Sequence, residues 1–83
     1  MNYADEIRAY CARQYVHPAR AAGKKEISIR AGDVHDVLGY HNRIPLVCVA
    51  IEASRFSEDY ALRRINAQDP WNGANTIFRF ELV

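Results

Sequence analysis

The chain has 83 residues, 49% of them apolar and 25% charged, enough for one small domain and too little for two. Only four Gly and three Pro and no low-complexity run argue against wholesale disorder. Eleven Lys and Arg stand against ten Asp and Glu, a net charge of +1, so bulk charge gives no nucleic-acid footprint by itself.

No internal repeat is visible. The longest apolar run, Ile44 to Ile51, is far too short to cross a bilayer. The opening MNYADEIRAY is charged and carries no apolar signal core, so the expectation is a cytoplasmic protein with no membrane contact. Charge is uneven along the chain. Residues 1–25 hold Arg8, Arg13, Arg20, Lys24 and Lys25 against Asp5 and Glu6, whereas residues 26–39 hold Arg30 against Glu26, Asp33 and Asp36.

Residues 3–16 read as an amphipathic helix, with Ile7, Tyr10, Cys11 and Tyr15 recurring at three- and four-residue steps and Ala4 extending the stripe. Pro18 disfavours a helical His17 and interrupts the hydrogen-bond ladder. Two courses are open there: a kink with continuation through Ala22, or a fresh start with Pro18 in the first turn. Gly23 is a natural stop. Glu26-Ile27-Ser28-Ile29-Arg30 alternates as a half-buried strand. Val34, Val37 and Leu38 then mark the inner face of a short helix that starts near Gly32, carries Asp33 in its first turn and ends at Gly39.

Tyr40 and His41 form a turn. Asn42 is read as the N-cap of a third helix, with Pro45 in its first turn. Leu46, Val47, Ala50, Ile51 and Ser54 form one face of that helix, and Cys48 and Val49 widen it. A helix this apolar is expected to be buried on most of its circumference, which leaves its first turn (Asn42, Arg43) and one polar strip (Glu52, Arg55) for a partner. Ser57 to Asp59 reads as a polar junction anchored by Phe56 and Tyr60. Leu62–Asn66 and Thr76–Leu82 read as strands. Phe78, Phe80 and Leu82 alternate in the second, while Leu62 and Ile65 fall on opposite faces of the first, which predicts a bulge or an early end. Asp69-Pro70-Trp71-Asn72-Gly73-Ala74-Asn75 between them is dense in turn formers.

The reading is therefore α+β: a winged helix-turn-helix in which three helices pack on a small three-stranded antiparallel sheet. It is taken as one domain over 1–83, with the helix-turn-helix at about 32–55 and the wing at about 67–75. The segment IRAGDVHDVLGYHNRIPLVCVAI, with a hairpin ending TIFRFEL, resembles a group of small uncharacterised prokaryotic winged-helix domains. These occur alone or joined to larger DNA-processing proteins. The resemblance covers the first helix and everything from Ile27 onward, and it implies that the helix opened by Asn42 and Arg43 is the reading helix.

Arg43 is the first candidate, because a guanidinium at the first turn of that helix can reach a phosphate or a guanine edge, a contact worth roughly 1–3 kcal/mol of discrimination. Its bland alternative is a solvated side chain. His41 and Asn42 come next, with capping weighed above base reading for Asn42. Lys24, Lys25 and Arg30, with Arg20, would hold phosphates without reading sequence, or simply be solvated. Arg55 lies on the polar strip. Trp71 and Asn72 at the wing tip would touch the neighbouring backbone or minor groove, unless Trp71 folds back over the hairpin. His35 is read as a solvated histidine on the outer side of its helix. Asp33, His35 and Asp36 are too ordinary a helix-surface group to indicate a metal or acid–base site. No CxxC is present, the three histidines fall at no ligand spacing, and Cys11 and Cys48 read as buried, reduced thiols.

The expected function is that of a small DNA-binding protein, a transcriptional or DNA-processing accessory factor. It would take double-stranded DNA as partner and act as a homodimer or as part of a larger assembly. The alternative is a protein-interaction or dimerisation module on the same scaffold. No catalytic constellation, cofactor, metal or small-molecule ligand is expected.

Overall fold

A computed structural model describes residues 2–65 and 73–83. Trp71, Asn72 and most of the expected wing lie outside them. The chain begins with a long helical rod made of α1 (Tyr3–Cys11), a π-helical turn (Ala12–Val16) and α2 (His17–Ala21). The Asn2 side chain caps it by accepting from the Asp5 N–H at 2.8 Å. Pro18 falls in the first turn of α2, and the rod runs on through it. Its ring would collide with the Gln14 carbonyl and it has no N–H to donate. The π turn just before it widens the backbone, so that the His17 N–H reaches the Ala12 carbonyl, and the rod continues.

Gly23 (φ +73°) closes the rod. The Lys24 N–H returns to the Ala19 carbonyl and the Gly23 N–H to that of Arg20, the paired bonds of a left-handed glycine stop. Strand β1 (Glu26–Arg30) follows, with Ile27 and Ile29 buried and Glu26 and Ser28 exposed. Helix α3 (Ala31–Val37) follows without a connecting loop and ends at Gly39 (φ +73°) with the same pair of bonds, Tyr40 N–H to His35 and Gly39 N–H to Asp36.

The next helix departs from the sequence reading. Helix α4 spans Ile44–Glu52 and breaks at Ala53 (φ −59°, ψ 136°), after which a separate helix, α5 (Ser54–Tyr60), covers the stretch read as a polar junction. Its hydrophobic signal was weak because it is only about two turns long around a single buried anchor, Phe56, with Tyr60 half-buried beside it at 5.5 Å between ring centroids. Among the described residues, with the rod counted as one, the helices thus number four, not three. Ala61 takes a left-handed conformation (φ 54°) and leads into β2 (Leu62–Arg64). This strand stops early, as the opposed faces of Leu62 and Ile65 required. A short 3-10 turn (Gly73–Asn75) precedes β3 (Ile77–Leu82).

The sheet is antiparallel in the order β1-β3-β2. Ile27 stands opposite Phe80, Ile29 opposite Phe78, and Leu62 opposite Leu82. Strand β3 is central because Phe78 and Phe80 bring the largest apolar area to the inner face, and both are buried. They meet Ile7, Val16, Val34, Val47, Ile51 and Phe56 in one core. The Phe56 and Phe80 rings pack edge to face at 5.5 Å, a geometry aromatic quadrupoles favour. Cys11 and Cys48 are buried free thiols.

The faces need four corrections. Ser54, read on the inner face of the third helix, is exposed and begins α5 instead. Val37 is 64% exposed and Val49 51% exposed, although both were assigned inward. His35 is buried, although it was assigned outward. Helix α4 is therefore not buried all round: Pro45, Val49 and Glu52 look outward, and Leu46 and Ala53 are half-buried.

Candidate nucleic-acid interface

The corner between α3 and α4 is built on His35. The imidazole Nε2 accepts the Arg43 N–H at 3.1 Å, and Nδ1 faces the Asp36 carboxylate at 3.5 Å. Because Nε2 accepts, the ring proton sits on Nδ1. The ring also packs edge-on to Tyr40 at 6.1 Å. Tyr40 donates its hydroxyl to Glu6 and packs edge-on to Tyr3 at 5.5 Å. Burial and the Glu6 hydrogen bond push the Tyr40 phenol up to about 12. The corner is thus pinned to the start of α1.

Asn42 is not a helix cap. Its backbone is left-handed (φ 55°), a conformation Asn tolerates better than most residues, and its side chain makes no capping bond. Arg43 holds the cap position, also without a side-chain cap. Turn chemistry, not capping, accounts for Asn at this position. His41, Asn42 and Arg43 are all exposed. The Arg43 guanidinium lies 5.0 Å from the centre of the Tyr3 ring, where the ring face attracts it.

The other predicted cations do not join this corner. Lys24 and Lys25 follow the far end of the rod whose first residue, Tyr3, carries Arg43. At about 1.5 Å per residue the rod from Tyr3 to Ala21 is roughly 28 Å long. Arg30 donates to Asp33 at 2.7 Å and to Asn75 at 2.9 Å, so it ties the turn before β3 to the start of α3. At that crossing a side chain on Gly32 would meet the Ala74 carbonyl oxygen at 2.8 Å. Arg55 pairs with Asp59 at 3.6 Å along α5.

Across the surface the pairing is extensive. Of the eleven cations, six sit in carboxylate pairs: Arg8–Asp5, Arg30–Asp33, Arg55–Asp59, Arg63–Glu81, Arg64–Glu52 and Arg79–Glu26. Arg20 was read as a phosphate contact. Instead it donates to the Tyr60 and Ala61 carbonyls at 2.6 and 2.9 Å and to the Val83 main-chain oxygen at 3.3 Å. There it places a cation at the negative end of α5. Sequence spacing carries no trace of that 40-residue contact. The exposed Arg13, Lys24 and Lys25 have no carboxylate partner among the described residues.

Among the described residues no group of three His, Cys, Asp or Glu side chains could hold a metal. No described helix is long and apolar enough to cross a membrane. Burial pushes the Cys11 thiol up to about 12. Cys48 is also raised by burial, against a lowering hydrogen bond from Thr76. No family model, curated protein or solved structure matches the chain.

Proposed function

We propose that the chain is a small winged-helix-type DNA-binding module that meets duplex DNA with the α3–α4 corner. The observation that carries this reading is the corner itself. His41, Asn42 and Arg43 are exposed at the uncapped start of α4, within an α+β order of elements and a three-stranded antiparallel sheet that are consistent with a winged-helix layout. Asn42 and Arg43 are the base-edge or phosphate donors. The uncapped end of α4 adds a partial positive charge beside them. The contact is narrower than the sequence implied, because Lys24, Lys25 and Arg30 stand elsewhere or are engaged. Few phosphates are then neutralised, and affinity for an isolated site is modest.

A protein-interaction module is the second reading. It is favoured by the outward Pro45 and Val49 on α4 and by the paired surface charge. Titrating a fluorescein-labelled random-sequence duplex between low and moderate salt separates the two. DNA binding through the corner predicts a log K against log salt slope of about −2 to −3, at roughly 0.9 per phosphate. It also predicts about a tenfold loss for Arg43→Ala. An absence of binding at low salt, or affinity untouched by that substitution, overturns the reading. A higher-order species in size exclusion that Val49→Glu abolishes would then support the second.

A further inference from the structure

Among the described residues strand β1 is an edge strand, bonded to β3 alone. The direction of its main-chain groups follows from two bonds that bracket it. The Leu82 N–H donates to the Lys25 carbonyl at 2.8 Å, and the Ala31 N–H donates to the Thr76 carbonyl at 2.9 Å. In the register Glu26↔Glu81 to Arg30↔Ile77, antiparallel alternation turns the backbone of Lys25, Ile27, Ile29 and Ala31 toward β3. It turns that of Glu26, Ser28 and Arg30 away. The outward side therefore offers a ladder of donors and acceptors two residues apart. The strand has no Pro and no bulge to close it. The opposite edge, β2, is only three residues long.

An open groove of about 330 Å³ runs beside this edge, between Ser28 and the rod residues Tyr15, Pro18, Ala19 and Ala22, with Lys24 at one end. Its lining mixes apolar and polar groups, Gln14 and Glu26 among the latter. Lys24 and Lys25 are exposed there without a carboxylate partner among the described residues. We infer that this edge and groove take an extended acidic–apolar peptide as a fourth strand of the sheet. Main-chain bonds to Glu26, Ser28 and Arg30 supply the affinity. Alternate small or β-branched apolar side chains fill the groove over Tyr15, Pro18 and Ala22. An Asp or Glu at one end of the peptide meets the two lysines. The surface lies at the end of the rod away from the α3–α4 corner and does not depend on DNA binding.

A random twelve-residue peptide library displayed against the full chain, followed by anisotropy titration of the two most enriched labelled peptides, tests this. Enriched peptides should alternate β-branched and polar residues and carry acid at one end. Bound peptide should slow amide exchange at Glu26 and Ser28. Ser28→Pro removes an outward N–H without taking a bond from the ladder to β3 and should weaken binding about fivefold or more. The double charge reversal Lys24→Glu, Lys25→Glu should weaken it about tenfold at low salt and less at high salt. If the proline variant does not fold, the charge reversal and the exchange pattern decide. Failure to enrich any peptide, affinity indifferent to both variants, or protection at other amides overturns the proposal. So does a dimer of the free chain that Ser28→Pro dissolves, which would give the edge to a second copy.

Discussion

At the scale of single residues, the α3–α4 corner rests on a side chain whose role its own position hides. His35 sits at a polar-looking phase of α3, between Gly32 and Asp36, and only the fold shows its ring turned in to accept the Arg43 N–H. The same holds for Asn42, where a capping residue type at a cap-like place serves a left-handed turn. The exposed identity of Arg43 was legible; its Tyr3 partner, 40 positions away, was not. The titratable groups around this corner and in the core give a pH prediction. Burial raises Cys11 from 9 to about 12, and burial and Glu6 raise Tyr40 from 10 to about 12. Each group therefore holds its proton longer folded than unfolded. Their contribution is present below pH 9 and is lost as pH climbs from there toward 12, because the unfolded chain releases protons first. Urea midpoints taken from pH 8 to 11 should fall, and Tyr40→Phe should flatten the upper part of that fall. A midpoint rising over that range would contradict the assignment.

At the scale of elements, the rod shows why a regular period misreads an irregular helix. A strict three-or-four-residue stripe through Ile7, Tyr10, Cys11 and Tyr15 overlooks Val16 and Ala19. Both of these are buried, while Tyr10 and Tyr15 are only half-buried. The step from Cys11 to Val16 is five residues, which an α-helix cannot keep on one face and a π turn can. The burial pattern and the proline thus demand the same local widening. Pro18→Ala should leave the bulge in place, because Ile7, Cys11 and Val16 still need the core. It should cost about 0.5–1 kcal/mol through the freer unfolded chain, measured by denaturant unfolding. A gain in stability would mean that proline alone imposes the π turn. Strand β1, strand β3 and the two glycine stops were all legible, since alternation and left-handed glycine are local signals. Helix α5 was not, because seven residues with a single buried aromatic carry too little periodicity.

At the scale of the molecule, the sequence yielded the class and the sheet but not the charge layout. Linear counts show an excess of cations before residue 26, while the fold spreads those along a rod and pairs three later arginines with carboxylates from other segments. Arg79 meets Glu26, and Arg64 meets Glu52. Surface pairs of this kind contribute little to stability, so the burden falls on the apolar core. Phe80 stands on the central strand between Ile27 and Phe56 and is 1% exposed. Phe80→Ala should cost about 3–5 kcal/mol, a large share of the roughly 5–15 kcal/mol a domain holds. The urea midpoint should drop with its slope unchanged. A loss under about 1 kcal/mol would show that β3 is not the centre of the core.

The crossing of Gly32 and Ala74 has a mechanical consequence. Where two backbones approach this closely, with only the Arg30 guanidinium and the Ala74 methyl beside them, there is little soft layer to absorb a displacement. The root of β3 and the opening of α3 shift together, so a load borne by β3 passes directly to α3, whose far end leads into the corner of His41, Asn42 and Arg43.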